Sequence, residues 1–423
     1  MTAGHICTPA WSTAEARGRC DPRTLPALQT IARAALVLAI SSSGIVFSEP
    51  APVDLVMVSV IVLLPLAGLT TLAPGMVLQT LVWLGCGAGA LIASGVSLDA
   101  VDSFRHTAIS FYLYLAFLVL AAFVANRPDR HADLILKAWV VAAAVAGLAA
   151  LAGYFQLLPG AQELFTKFGR AAGTFKDPNV LGPFLVPAIL YLAHRALDGD
   201  SRWLAAEMAV LVLLIVAVLL SFSRGAWFNL AVALATYGFL RLVCEGSPTA
   251  RARLLVLAGI GLVVAAAGLL AVSQLEQVAT LLAERSALTQ GYDVGPEGRF
   301  GGQEKALGLA LANPLGLGAK QFAEHFHHED VHNVYLSMLL NAGWLGGLLY
   351  VAAVATSLWA GIAHISRATP ARGLLLVAFA AFLGNVLEGA IVDTDHWRHF
   401  YVLLALIWGL IGANEISRTG GIR

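Results

Sequence analysis

Four side chains, far apart in the chain, are of the types that hold phosphate and move protons. Arg170 lies in Gly169-Arg170-Ala171-Ala172-Gly173-Thr174-Phe175-Lys176-Asp177-Pro178-Asn179, and Arg224 in Ser221-Phe222-Ser223-Arg224-Gly225. Arg299 opens the stretch from Arg299 to Ala312, and His332-Asn333 precedes an apolar run. The planar guanidinium grips phosphate through two parallel hydrogen bonds. The imidazole titrates near neutrality and suits general base work. Together they fit a reaction in which a phosphate-linked group leaves and a hydroxyl attacks. Lys176, Lys305 and Asn333 are nearby candidate substrate contacts, and Glu388 and Asp393 are the late acids that could assist.

The plainer readings differ from residue to residue. Lys176 and Asp177 fit solvated helix-entry charges, with Asp177 a helix cap and Pro178 in a first helical turn. Arg224 sits in a very short connector, where a charge near the membrane is costly unless paired or solvated. The alternative for it is a snorkelling arginine. Glu388 reads equally well as half of a structural ion pair. The run His325-Phe326-His327-His328-Glu329-Asp330 offers metal ligands, but its spacings match no firm site, so no metal and no cofactor is expected.

The elements that must position these residues are set by composition. Of 423 residues, 58% are apolar and 12% charged, against about 25% charged in a soluble domain. No single soluble core could bury so much apolar surface. The chain reads as an all-α, polytopic integral membrane protein. About twelve spans are expected, at 29–47, 54–73, 76–95, 107–125, 134–157, 180–197, 203–221, 225–243, 253–273, 334–362, 373–391 and 400–415. The organisation is then a tail at 1–28, spans one to nine within 29–273, one large polar loop at 274–333, spans ten to twelve within 334–415 and a tail at 416–423. The tenth span is long, and a bend is expected near Gly343, Gly346 and Gly347. A net charge of zero gives no sign of nucleic acid binding. Cys7, Cys20, Cys86 and Cys244 form neither a disulfide framework nor a zinc motif.

Orientation follows from where the bases fall. With both termini in the cytoplasm, sixteen of the 26 lysines and arginines lie inside. Seven of the ten left outside fall in the loops 158–178 and 274–333, which suggests an anionic ligand on that side. The N-terminal tail lacks a short apolar core with a cleavage site, and so reads as a cytoplasmic tail rather than a cleaved signal.

The same motifs, in their order, resemble the O-antigen ligase and polymerase family of bacterial envelope glycosyltransferases. The residues that carry the likeness are Gly173-Thr174-Phe175, Asp177-Pro178-Asn179, Ser223-Arg224-Gly225, Arg299, Pro314-Leu315-Gly316-Leu317-Gly318, His332-Asn333 and Gly343-Trp344-Leu345-Gly346. The resemblance implies a GT-C-like, metal-independent, inverting transferase in the bacterial inner membrane, with its site facing the periplasm. It implies a glycan donor on undecaprenyl pyrophosphate and an acceptor hydroxyl on lipid A–core or on another glycan. It casts Arg224 and Arg299 as the pyrophosphate clamp and His332 as the base, with Arg170 a less secure match. It leaves the choice between Glu388 and Asp393 open. One large loop leans towards ligase over polymerase. The rival class, a lipid-linked glycan transporter or flippase, would spread its polar residues through the bilayer depth.

Overall fold

The computed structural model describes residues 24–199, 202–256, 259, 261 and 295–420. Its helices are α1 (Thr24–Ser42), α2 (Pro52–Leu66), α3 (Pro74–Gly95), α4 (Ala100–Asn126), α5 (Pro128–Tyr154), the short α6 (Ala161–Phe165), α7 (Pro178–Asp198), α8 (Leu204–Leu220), α9 (Arg224–Cys244), α10 (Arg299–Ala312), α11 (Val334–Ile365), α12 (Arg372–Glu388) and α13 (Arg398–Gly420). Helices occupy eleven of the twelve expected spans. The ninth, 253–273, lies largely outside the described residues, as does Arg285. Among the described helices, eight are long and apolar enough to cross a membrane, while α2 and α8 are apolar but shorter. The protein is a polytopic all-α membrane protein.

Helix starts follow the local chemistry. Pro occupies the first turn of α2, α3, α5 and α7, where its missing N–H costs nothing. Asp99 caps α4, Asp177 caps α7, Ser223 caps α9 and Asn333 caps α11. Each side-chain oxygen accepts a backbone N–H that the helix itself leaves over. Because the spans alternate in direction, the starts of α7, α9 and α11 and the ends of α8 and α12 share one end of the bundle.

Small residues let the spans approach closely. On α3, a Cβ at Gly89 would lie 2.6 Å from the carbonyl oxygen of Ala342 on α11. In a bilayer, where lipid is as apolar as leucine, such close backbone packing is a main source of association. α13 packs on α4, and α12 on α9. Trp83 joins α3 to α4, α11 and α13, its ring against Tyr114, Tyr350, Phe400 and Tyr401.

α11 breaks at Gly343, whose φ is 65° and ψ −175°. A break inside a span frees backbone groups that lipid cannot satisfy. Here the turn after α10 supplies the partners. The N–H of Trp344 donates to the Pro314 carbonyl at 2.9 Å, and the Leu340 carbonyl accepts from Leu317 N–H at 2.7 Å. The indole N–H of Trp344 adds a bond to the Ala310 carbonyl at 2.8 Å. The expected bend is therefore also a socket for the Asn313–Gly318 turn. Gly343→Ala would put a Cβ 2.7 Å from the Leu315 carbonyl carbon and oxygen in a left-handed conformation, a cost of roughly 1–3 kcal/mol. Thermal unfolding should fall measurably, and susceptibility of the 295–333 segment to protease should rise.

Candidate active site

The loop before α7 reads as a simple turn in sequence but contains a two-stranded antiparallel hairpin. β1 (Thr166–Lys167) pairs with β2 (Arg170–Ala171). Both central residues, Phe168 and Gly169, have positive φ, the geometry of a type I′ turn. The hairpin delivers Arg170 inward, where it is buried. Its Nε donates to the Ser221 carbonyl at 2.8 Å and an Nη to the Asn179 side-chain oxygen at 2.8 Å. Charged hydrogen bonds of this kind contribute about 1.5–3 kcal/mol each. Arg170 thus ties the α7 entry loop to the α8–α9 junction that carries Arg224. Lys176 is exposed and stands 3.7 Å from Glu49.

Arg224 is the first residue of α9 and is half-buried. Behind it, Gly225 leaves room for Glu388. A Cβ at Gly225 would lie 2.7 Å from Glu388 Oε1. Glu388 is fully buried, and its Oε2 accepts from the Asn229 amide at 2.8 Å. Of the two late acids, Glu388 is thus the one packed against Gly225, the residue after Arg224. Val334 N–H donates to the Gly389 carbonyl at 2.8 Å, which joins this corner to the start of α11.

His332 is held by both neighbouring elements. Its backbone N–H donates to Asp393 Oδ2 at 2.9 Å, and its carbonyl accepts from Gln303 of α10 at 3.2 Å. The other oxygen of Asp393 accepts from the Ser337 hydroxyl. This framework keeps His332 at φ 54°, a strained region for any side chain bearing a Cβ. Asp393 holds the backbone; the imidazole Nε2 faces Glu329 Oε2 at 3.7 Å. Burial, and after it the charge of Arg299, keeps the His332 imidazole below the ordinary value of 6.5, against the opposing pull of Glu329, Asp330 and Asp177. The imidazole is thus neutral and able to accept a proton at neutral pH. Burial also pushes Asp393 up to about 7, with Asp395 and Asp330 adding to it and the Ser337 and His332 bonds opposing it.

Two other expected substrate contacts are engaged within the protein. Asn333 caps α11, its oxygen accepting from Tyr335 and Leu336 N–H at 3.1 and 3.2 Å. Lys305 is exposed and donates to the Phe326 carbonyl, which fastens α10 to the histidine loop. Arg398, another base expected on the outer side, has a partner of its own. It forms a two-pronged pair with Asp54, both bonds 2.7 Å. Nothing local in sequence links residues so far apart.

Residues 209–351 match the family described as O-antigen ligase. That segment of the chain is similar to this family. No curated protein matches the chain. The matched segment contains Arg224, Arg299, His332 and the Gly343 break, while Arg170, Glu388 and Asp393 lie outside it and reach it through the contacts above.

Sequence reasoning missed a cavity of about 260 Å³ beside this site. Met57, Leu113, Phe117, Leu120, Phe184 and Val402 give it apolar walls, and Lys176, Asp393 and Arg398 bring charge to it. Its walls come from α1, α2, α4, α5, α7 and α13, so no single stretch could have shown it.

Proposed function

We propose that the protein moves a glycan from undecaprenyl pyrophosphate to a sugar hydroxyl of lipid A–core, at the periplasmic face of the bacterial inner membrane, with both termini cytoplasmic. The match of residues 209–351 to the O-antigen ligase family, in a helical membrane protein, supports ligase- or polymerase-type chemistry in general. The observation that carries the finer reading is the linkage at one end of the bundle. Arg170 braces the loop of Arg224, Glu388 packs behind Arg224, Val334 is bonded to Gly389 just beyond Glu388, and Gln303 joins the helix of Arg299 to His332.

In this mechanism Arg224 and Arg299 hold the pyrophosphate, each from the first residue of a helix whose N–H groups also favour anions. The acceptor oxygen attacks the anomeric carbon from the face opposite the pyrophosphate. Its proton passes to His332, the carbon–oxygen bond to the pyrophosphate breaks, and lipid pyrophosphate leaves with the bonding electrons. Fixed guanidinium groups stabilise the charge that grows on the leaving group. The apolar cavity beside Asp393 suits a stretch of lipid chain.

Purified protein mixed in detergent with lipid-linked glycan and lipid A–core should form product without a membrane to cross. Absence of product would favour a transporter. In cells lacking the protein, core without attached glycan indicates a ligase, and single repeats on the core indicate a polymerase. The acid limb of kcat/KM should lie below pH 6.5, since the lowered pKa of His332 keeps the base neutral until the pH falls beneath the ordinary histidine value. A limb above that value would remove His332 from the role.

A further inference from the structure

The histidine run has a geometry that its spacing does not show. We propose that Glu297, His327 and His328 form a divalent-metal site suited to zinc, which pins the histidine loop to the start of α10. The ligand atoms offered by these three side chains lie within 4.8 Å of one another. His328 Nδ1 stands 3.6 Å from Glu297 Oε2, and the His327 and His328 ring centres are 4.5 Å apart. Two imidazoles and a carboxylate, with a fourth position left for water, are a ligand set that zinc takes readily. The sequence pattern lacked the third ligand because it comes from the opposite end of α10.

A second observation points to a ligand. His327 is only 7% exposed, and its Nε2 is buried with no hydrogen-bond partner. Its other nitrogen, Nδ1, lies 3.4 Å from the Glu329 carbonyl oxygen and 3.2 Å from the Glu329 N–H. The Glu329 N–H donates to Nδ1 in this structure; zinc at Nε2 would select the other tautomer, with the proton on Nδ1 donated to the Glu329 carbonyl. Metal-bound histidines are commonly oriented by such a second bond. One face of the ring stacks against Phe322. Gly302 leaves space at the ring edge, where a Cβ would come within 3.2 Å of Nε2.

The other close cluster, His106, Asp395 and His396, does not offer this. Its two imidazoles stack at 3.7 Å and 17°, so their in-plane lone pairs run side by side rather than meeting at one ion. His106 Nε2 already bonds Asp395, and His396 Nε2 bonds Ser110.

The metal would take no step in transfer. Glu297 is two residues before Arg299, and Glu329, next to His328, faces His332. The site would therefore fix the spacing of the two segments that the proposed function uses for clamp and base. Only that consequence rests on the transferase reading; binding itself does not.

The test uses the full chain, purified in detergent with an affinity tag free of histidine, stripped with chelator and titrated with zinc(II) by calorimetry. One equivalent should bind saturably and raise the unfolding temperature. His327→Ala and Glu297→Gln should each weaken binding by more than about 10-fold, the lower end of what even an outer-shell partner costs. His325→Ala, at an exposed position outside the cluster, should leave it unchanged. Glu297 is exposed, so its variant tests the site without disturbing the fold. No saturable binding, or binding that survives Glu297→Gln, or binding abolished by His325→Ala would overturn the proposal. Zinc bound as expected by a protein without transfer activity would count against the transferase and leave the metal site standing.

Discussion

His332→Asn is expected to abolish glycan transfer while the protein keeps its fold. Asparagine is among the residues that tolerate the left-handed backbone region occupied here, and φ at this position is 54°. Its N–H can still donate to Asp393, and its carbonyl can still accept from Gln303. What it lacks is a nitrogen able to take the acceptor's proton. General base assistance typically contributes about 10²–10⁴-fold, and a loss of that size should appear in kcat with purified donor and acceptor. His332→Ala should lose as much activity and a little stability besides, because alanine is less at ease at positive φ. Near-normal transfer by the asparagine variant, with an unchanged melting temperature, would exclude His332 as the base.

Arg224→Lys should lower the transfer rate by about 10²-fold, the scale of removing one fixed donor from a charge-stabilising site. The charge survives the change, but the ammonium cannot reproduce the planar fork. Arg224 opens α9 and is half-buried, so it reaches the site from a rigid element rather than a loose loop. Arg299→Lys should behave alike, since Arg299 opens α10. Arg170→Lys provides the contrast. Its guanidinium is buried on Ser221 and Asn179, so that variant should lose stability and activity together. Donor affinity, turnover and thermal unfolding measured side by side separate the two outcomes. Arg224→Lys with unaltered affinity and rate would sink the clamp.

The proposed metal site and the strained His332 backbone share one structural device. α10, the histidine loop and the start of α11 meet in a small apolar cluster of Ala306, Ala310, Phe322, Val331 and Leu340, and hydrogen bonds fasten it further. Lys305 holds Phe326, Gln303 holds His332, and the Asn313–Gly318 turn fills the break at Gly343. A segment so fastened can place two phosphate-binding or proton-accepting groups accurately on a small core.

The spans were legible because a bilayer imposes a length and an apolar composition that no other solvent does. Charge is rare in such a chain, so Arg224, Arg299 and His332 stood out by type alone, and glycines marked the bend in α11. Caps such as Asp177 and Asn333 could be read because they act within a few residues of themselves. Tertiary structure alone decided where the two late acids lie, placing Glu388 against Gly225 and Asp393 on the His332 backbone. It also decided that Arg398 belongs to Asp54, that Phe168-Gly169 turns a hairpin, and that Glu297 meets His327. Each of these depends on groups brought together by helix packing across long stretches of chain. Periodicity and composition record what a segment needs from its solvent; they carry no record of which distant side chain will fill the space beside it.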